Sequence, residues 1–346
     1  MKQAVILGGT GVLGRAIAHR LLEAGWQVRI TGRDASKMPS ALRAAGARFL
    51  ASDRRSGHDL AQALGNGADL LVDAACYTAA EARLLLPHLS GVGSAVMLSS
   101  KAVYTDDAGN HVNSDVPPCF PHPIREDRPT MKPLNGGYDS REGYGANKVA
   151  AEHVLLDTGH PVTVIRPSKV HGEGAAVPRE WMFVKRILDR RPAVFLATAG
   201  AGGDHTSAAV NTAALIETVA ARPGQRILNS ADPDAPTSLE IARTVAAYLG
   251  HEWEEILLEA GDHPELGAHP WNFTPPLVLD TQASTALGYE PVGTYAETVT
   301  AEIDWLLASP ANRPDAADGF FSNFTDYDLE DAYLTDRGRP TSACSC

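Results

Sequence analysis

A phenol and an ammonium four residues apart are the side chains in this sequence best suited to move a proton. Tyr144 and Lys148 lie in the run YGANK, and a spacing of four places both side chains on one face of a helix. An ammonium near a phenol stabilises the phenolate, so such a tyrosine can exchange a proton with a carbonyl or alcohol oxygen as a general acid or base. The spacing alone also occurs by chance on helix surfaces, and the assignment therefore depends on further residues.

Two serines supply a second candidate group. Ser99 and Ser100 follow the short apolar run that begins at Ala95. Ligands of open α/β sheets bind at the carboxyl ends of the strands, where a hydroxyl can hydrogen-bond a reacting oxygen as charge develops on it. The alternative interpretation is two serines that merely end a strand.

The glycine-rich run GGTGVLG at residues 8–14 predicts a phosphate-binding turn. Gly8 permits the tight turn, Gly11 lets the backbone approach a pyrophosphate, and Gly14 lets the following helix pack close to the sheet. The start of that helix adds unpaired N–H groups and a partial positive charge that suit phosphates. Because the turn stands between a strand and a helix, it favours a dinucleotide over a turn without a ligand. The contacts predicted from this turn are Gly8, Thr10, Gly11, Val12, Leu13 and Gly14.

The end of the second predicted strand bears on the choice between NAD and NADP. An acidic side chain at this point would bind the ribose 2′-hydroxyl of NAD, but Gly32 occupies the position and Arg33 follows it. Arg33 can form a bidentate contact with a 2′-phosphate, which favours NADP; Asp34 comes next, however, and a solvated arginine is the alternative. Asp53 follows the third predicted strand, where it either accepts from the adenine amino group or is an ordinary turn aspartate.

Short apolar runs alternate with helical patterns over the first half of the chain, which predicts a parallel, doubly wound α/β sheet. Apolar residues recur every four positions in 12–24 and Gly25 follows them, so this segment is predicted to be a helix. Capping boxes at 237–240 and 294–297 predict the starts of two later helices. The predicted strands are Ala4–Leu7, Gln27–Thr31, Arg48–Ala51, Leu70–Ala75, Ala95–Ser99 and Val162–Arg166.

Chain length and a change of pattern after Pro167 predict two lobes. The stretch 105–143 is rich in Pro, Asp, Asn and Gly, and we expect it to form a long loop over the active site. The predicted boundaries are 1–170 for a dinucleotide-binding domain, to which 204–230 returns, 171–203 and 231–308 for a smaller mixed α/β substrate lobe, and 309–346 for an irregular C-terminal tail.

Composition argues against several classes of protein. The 346 residues are 44% hydrophobic and 21% charged, as in globular proteins, and the net charge of −12 argues against a nucleic-acid-binding surface. No apolar run approaches the roughly 18 residues of a membrane helix, and Ala4–Leu7 is too short for a signal-peptide core, so we expect a cytoplasmic protein that does not bind membranes. Metal-ligand spacing is missing among the histidines and the cysteines, and we expect no metal. The expected free thiols are Cys76, Cys119, Cys344 and Cys346.

Five motifs share the order and spacing of one known family. They are Gly8-x-x-Gly11-x-x-Gly14, Ser99-Ser100-x-Ala102-Val103-Tyr104, Tyr144-Gly145-x-x-Lys148 with Glu152, Arg166-Pro167-Ser168 and Leu287-Gly288-Tyr289-Glu290-Pro291. Together they span nearly the whole chain, which resembles the extended short-chain dehydrogenases/reductases, also called the NAD-dependent epimerase/dehydratase family.

The resemblance implies a Rossmann domain and an NAD(P)-dependent oxidoreductase whose catalytic residues are Ser100, Tyr144 and Lys148. It implies Ser100 rather than Ser99 as the catalytic hydroxyl, and we expect Lys148 also to hold the nicotinamide ribose. A homodimer through helices that include 142–157 is a further expectation from the resemblance. The cofactor contacts expected at this end of the site are Ala74, Ala75, Ser99, Tyr144, Lys148 and Pro167.

Departures from the family pattern bear on the substrate. Lys169, His171 and Asn211 stand where nucleotide-sugar enzymes often carry other residues, and Ser100 is followed by Lys101 rather than by the acidic pair of sugar dehydratases. We therefore expect an NADPH-dependent reductase that acts on a carbonyl of a small molecule, with NAD as the alternative cofactor. The alternatives are a nucleotide-sugar epimerase with bound NAD and, from another class, a non-catalytic dinucleotide-sensing or scaffold protein.

Overall fold

Seven parallel strands form the central sheet. The structure, a computed structural model, describes residues 1–315, 319–325 and 327–337. The strands of this sheet are β1 (Gln3–Leu7), β2 (Gln27–Gly32), β3 (Arg48–Ala51), β4 (Ala68–Asp73), β5 (Val92–Leu98), β6 (Val162–Pro167) and β10 (Arg226–Ser230). Their order is β10-β6-β5-β4-β1-β2-β3 and every neighbouring pair is parallel. The predicted doubly wound sheet is confirmed, and the strand order reverses between β1 and β4, where such sheets bind ligands.

Both faces of this sheet are apolar because helices cover both. Ala4 and Ile6 on β1 pack with α1 (Val12–Glu23) and α7 (Ala209–Ala221) on one face. Val5 and Leu7 pack on the opposite face with α3 (Gly57–Leu64), α4 (Ala79–Leu85) and α5 (Arg141–Leu156). The remaining described helices are α2 (Ser40–Ala44), α6 (Trp181–Leu188), α8 (Ser238–Tyr248), α9 (Gln282–Ala286), α10 (Tyr295–Thr298), α11 (Thr300–Ala308), α12 (Gly319–Thr325) and α13 (Asp328–Arg337).

The chain forms two compact units. The first comprises Met1–Ala176, His205–Ala235 and Leu277–Glu302, and the second comprises Val177–Asp204, Pro236–Pro276 and the described residues from Ile303 onward. The first unit contains the seven-stranded sheet and the short pair β7 (Lys169–His171) and β9 (Thr206–Ala208); the smaller second unit contains the pair β8 (Ala193–Leu196) and β11 (Glu254–Leu257). Residues 277–302 thus differ from the predicted division, because α9 packs beside β10 and the hydroxyl of Ser284 donates to Asn229 O on that strand.

Both predicted capping boxes are present. Thr237 caps α8 and exchanges hydrogen bonds with Glu240, and Thr294 and Glu297 do the same at the start of α10.

No helix among the described residues has the length and apolar character that a membrane crossing requires.

Two helices occur where an irregular tail was predicted. In α13, Glu330 forms a buried ion pair with Arg186 at 2.6 Å, and Tyr333 packs edge-on against Phe195 with ring centroids 5.4 Å apart. These partners are far away in the sequence, so local patterning does not reveal them. The part of the predicted tail from 338 to 346, with Cys344 and Cys346, lies outside the described residues.

Candidate active site

Helix α5 positions the predicted acid and its lysine. The helix begins after Ser140, whose hydroxyl accepts from the N–H of Gly143 at 2.9 Å. Tyr144 is half-buried and Lys148 is only 3% exposed. The Lys148 ammonium lies 6.0 Å from the centroid of the Tyr144 ring, so the two groups are neighbours on one face of the helix, as their spacing predicts.

The Lys148 ammonium is held by backbone rather than by a carboxylate. It donates to Cys76 O at 2.7 Å and to Leu98 O at 2.9 Å, and it lies 4.4 Å from the centroid of the Tyr77 ring. Lys148 makes no ion pair within the described chain, so its positive charge is not cancelled locally. Because an ammonium has three N–H groups, one remains for the predicted contact with a nicotinamide ribose.

A glycine brings α5 against the segment that carries Ser100. A side chain at Gly145 would overlap Ala102 O, so the helix approaches this segment closely only because residue 145 lacks a Cβ. The hydroxyl of Ser100 accepts from the N–H of Ala102 at 3.2 Å, which orients it at the end of β5. Tyr144 and Ser100 therefore belong to two segments in direct contact.

The neighbouring serine faces a buried polar network. The Ser99 hydroxyl donates to Glu152, and Glu152 forms a two-point ion pair with Arg166, in which Nη2 lies 2.6 Å from Oε2 and Nε lies 3.1 Å from Oε1. Burial disfavours the charged guanidinium, but the bonds from Glu152 outweigh it and the pKa of Arg166 lies above its ordinary value. With its hydroxyl engaged by Glu152, Ser99 is placed as a support of the strand end; its predicted cofactor contact stays a prediction.

Two other groups near the site do not suit proton exchange at neutral pH. Tyr104 is buried and donates to Asn229 Oδ1 at 2.6 Å, and burial raises its pKa to about 12. Burial also raises the pKa of the Cys76 thiol. Tyr77 and Tyr144 are both half-buried beside Lys148; Tyr144 is the better candidate because its helix also packs against the segment that carries Ser100.

The phosphate-binding turn has the predicted geometry. Gly8 has a φ of +77°, which favours glycine, and it lies against Ala75. A side chain at Gly14 would overlap Gly9, and one at Gly9 would overlap Ile30; the role of Gly9 was not predicted. At Gly11 an added Cβ would lie 3.7 Å from Gly8 O, an ordinary van der Waals contact, so no neighbour in the described chain requires glycine at this position.

A cavity of about 560 Å³ begins at this turn. Arg33 is exposed on its wall and makes no hydrogen bond or ion pair in the described part of the chain. The Asp34 carboxylate instead accepts from the N–H and hydroxyl of Ser36, bonds that lower its pKa. Asp53 also lines the cavity and accepts from the N–H of Arg55 at 2.9 Å. The lining residues are Gly8, Thr10, Thr31, Gly32, Arg33, Ser52, Asp53, Arg54, Arg55, Ala75, Tyr77, Glu81 and Tyr138.

The other predicted cofactor contacts lie around this cavity rather than among its lining residues. Val12 lines a separate cavity of about 260 Å³, and Leu13 packs against the core of the sheet, so each would contribute through the first turn of α1. Ala74 donates its N–H to Leu7 O at 3.0 Å. Pro167 is buried at the end of β6.

Two of the departures from the family pattern belong to a buried network. His171 lies 2.9 Å from Asp232, and both are almost fully buried. Asn211 donates to the same carboxylate at 2.8 Å. Burial opposes ionisation of Asp232, but the bonds it accepts, that of His171 foremost, leave its pKa below the ordinary value. His171 and Asn211 are therefore placed to support β7 and α7.

Several lining residues were not among the predicted contacts; they are Thr31, Gly32, Ser52, Arg54, Arg55, Tyr77, Glu81 and Tyr138. Arg54 donates to Asp73 at 2.5 Å and 2.8 Å, and Arg55 binds Glu81 at 2.9 Å. Tyr77 and Tyr138 stand with ring centroids 5.4 Å apart. The two arginines directly follow Asp53, which was predicted, so their position was the only available signal.

Comparison with known proteins identifies the family. The sequence matches the model of the NAD dependent epimerase/dehydratase family over residues 4–201. The chain belongs to this family. No curated protein is significantly similar to the chain in sequence.

Solved structures of the same fold include nucleotide-sugar enzymes. The chain is similar to dTDP-glucose 4,6-dehydratase from Bacillus anthracis in complex with NAD, with 14% identity, a TM-score of 0.67 and coverage of 90% of this chain and 98% of the other. The UDP-glucose 4-epimerase of Thermus thermophilus in complex with NAD has 18% identity and a TM-score of 0.65, with coverage of 89% of this chain and 99% of the other. The UDP-N-acetylglucosamine 4-epimerase of Bacillus cereus has 17% identity and a TM-score of 0.68, with coverage of 89% of this chain and 100% of the other. Similarity at this level of identity shows the fold.

Proposed function

We propose that the protein is an NADPH-dependent reductase that transfers hydride to a carbonyl carbon of a small molecule. The observation that carries the choice of cofactor is the unpaired, exposed Arg33 on the wall of the cavity, at a strand end where Gly32 provides no carboxylate. The nearest acidic side chain, Asp34, is engaged by Ser36, which leaves Arg33 able to bind a 2′-phosphate.

The residues of the turn fit a dinucleotide. A pyrophosphate needs close backbone approach and unpaired N–H groups at a helix start; the absence of a side chain at Gly11 allows the first, and the start of α1 directly after it supplies the second. When bound, a nicotinamide dinucleotide supplies or accepts the hydride.

The catalytic roles follow from the geometry around α5. The Tyr144 hydroxyl donates its proton to the substrate oxygen as that oxygen gains charge, and the Ser100 hydroxyl donates a hydrogen bond to the same atom. The Lys148 charge, fixed by Cys76 O and Leu98 O, stabilises the phenolate left behind. An intact set of these three residues argues against a protein that only senses the dinucleotide.

A second candidate is a nucleotide-sugar epimerase with bound NAD. The observation that favours it is the similarity to epimerases and a dehydratase that were crystallised with NAD. An epimerase would use the same three residues but would keep its cofactor through two hydride transfers.

One purification separates the two candidates. The nucleotide bound to the purified protein is assayed after dialysis, and NADPH absorbance is followed against a panel of ketones, aldehydes and nucleotide sugars. The proposed reductase consumes NADPH with at least one carbonyl compound. Stoichiometric NAD that survives dialysis, with sugar inversion and no NADPH consumption, overturns the reductase in favour of the epimerase.

A further inference from the structure

The segment before α5 reaches across to the cavity wall. This segment, 136–140, is called the strap below. Its Tyr138 hydroxyl accepts from Nη2 of Arg55 at 2.7 Å, and the Arg55 guanidinium lies 5.7 Å from the centroid of the Tyr138 ring. Both residues line the cavity that begins at the phosphate-binding turn, so a dinucleotide whose phosphates occupy that turn shares the cavity with Tyr138.

The partner of Tyr138 is itself fixed. Nε of Arg55 donates to Glu81 Oε1 at 2.9 Å, and the other oxygen of Glu81 accepts from the N–H groups of Tyr77 and Thr78 at 2.7 Å and 3.1 Å. The Glu81 side chain is 7% exposed. Because Glu81 balances the charge of Arg55, this arginine differs from Arg33 and is poorly suited to select a 2′-phosphate.

The base of the strap is anchored at Gly136. Asn147, fully buried on α5, accepts from the N–H of Gly136 at 2.9 Å and donates to its carbonyl oxygen at 2.8 Å. Gly137 follows with a φ of +62°, a region that glycine enters at no steric cost, and its carbonyl oxygen accepts from the N–H of Ser140 at 3.2 Å and from the Ser140 hydroxyl at 2.7 Å. Gly137 is therefore the glycine that separates the anchored Gly136 from Tyr138.

Tyr138 is also connected to the proposed catalytic pair. Its ring centroid lies 5.4 Å from that of Tyr77, and Tyr77 lies 6.5 Å from the Tyr144 centroid and 4.4 Å from the Lys148 ammonium. The strap thus joins the arginine end of the cavity to the proposed catalytic end through two tilted ring contacts, with interplanar angles of 31° and 52°.

We propose that the strap retains the dinucleotide and that the Tyr138–Arg55 contact sets its rate of dissociation without choosing between NADPH and NADH. This inference rests on the proposed function, since it needs a nicotinamide dinucleotide in the cavity. Release requires Tyr138 to leave Arg55, with Gly137, next to the anchored Gly136, as the hinge. We expect the same effect on NADPH and NADH, because the hydrogen bond between Tyr138 and Arg55 does not involve a 2′-phosphate.

The test measures release from the full chain. Protein loaded with NADPH or NADH is mixed with excess NADP⁺ or NAD⁺ in a stopped-flow instrument, and nucleotide fluorescence reports the dissociation rate. Tyr138→Phe removes the hydroxyl and keeps the ring, Arg55→Gln removes the donor, and the double variant combines them. Tyr248→Phe is the matched control, because its hydroxyl donates to Asp304 at an exposed site and neither residue is among those that line the cavity.

Both single variants are expected to release NADPH and NADH about three- to tenfold faster, which corresponds to the loss of one ordinary hydrogen bond of about 1 kcal/mol. The double variant should match the singles, and the ratio of the two dissociation constants should stay that of the unaltered protein. Unchanged release in both singles, or faster release of NADPH alone, overturns the strap and leaves the proposed function standing. Failure of the unaltered protein to bind either nucleotide overturns the proposed function and the strap together.

Discussion

The proposed catalytic end of the first unit and the cavity rim at Arg33 hold their charges in opposite ways. At the first, the side chains of the Glu152–Arg166 ion pair are at most 3% exposed, and the Lys148 ammonium donates to two backbone carbonyl oxygens. At the rim, Arg33 is exposed and bonds to nothing in the described residues. Removing one partner of a buried ion pair strongly lowers the free energy of unfolding, whereas an exposed arginine can be removed with little effect on folding. Substitutions at the first end should therefore affect folding or chemistry, and substitution of Arg33 only binding.

The largest effect is expected at Tyr144. Tyr144→Phe keeps the half-buried ring and removes only the transferable proton, so kcat should fall by about 10²–10⁴-fold while the free energy of unfolding and the dissociation constant of NADPH stay unchanged. Steady-state kinetics, urea unfolding and nucleotide titration check the three quantities. A variant that kept most of its rate would place the acid elsewhere, with 105–143 as the segment to search.

Glu152→Gln should be the largest change in stability. The substitution leaves the buried Arg166 guanidinium without a negative partner, and breaking a buried ion pair lowers the free energy of unfolding by about 3–5 kcal/mol. Glu255→Gln is the control, because the Arg243–Glu255 pair at 2.7 Å is more exposed, and such pairs contribute about 0–1 kcal/mol. If Glu152→Gln and Glu255→Gln lowered the free energy of unfolding in urea by the same amount, the contrast between buried and exposed charges would be contradicted.

Ser100→Ala tests whether the strand end contributes to chemistry as well as structure. Removing one donor to a developing oxyanion costs about 10²–10³-fold in kcat, and the exposed part of Ser100 predicts little loss of stability. Ser99→Ala should show the reverse, a loss of stability that exceeds any loss in kcat, because its hydroxyl bonds to Glu152. If Ser99→Ala were the more damaging to kcat, the assignment of the two hydroxyls would be exchanged.

Arg33→Ala should have the smallest effect and the most selective one. The dissociation constant of NADPH should rise about tenfold, as expected from the loss of charge-assisted bonds to a phosphate, and that of NADH should not change. Arg43→Ala on α2 is the matched control, since Arg43 is also exposed but does not line the cavity. A preference for NADH that both variants retain would contradict the assignment of NADP.

Features that depend on neighbours in the sequence were predicted well. The glycine turn, the spacing of Tyr144 and Lys148 and both capping boxes need only local periodicity and residue type, and all of them appear in the structure. The short parallel strands were recognisable for the same reason, because a strand covered on both faces is a brief apolar run.

Features that join distant segments were not predicted. Arg55 and Tyr138 are 83 residues apart, and nothing in either local pattern indicates that they meet. The Ser99 hydroxyl was expected along the cofactor, but its partner Glu152 lies 53 residues further on. Stretch 105–143 was predicted to be a long loop, and 105–140 contains no helix or strand of the sheet. Its attachment was not predicted: Thr130 pairs with Tyr104 in an isolated β-bridge, a contact that tertiary packing determines.

The discontinuity of the first unit limits how this protein can be divided. The edge strand β10 of its sheet comes later in the chain than residues 177–204, which belong to the second unit. A recombinant fragment stopped at Ala176 would expose the backbone edge of β6, a site for self-association, and would deprive Tyr104 of Asn229. A soluble dinucleotide-binding module must therefore be designed as a graft that reconnects 1–176 to 205–235 and 277–302, rather than obtained by truncation.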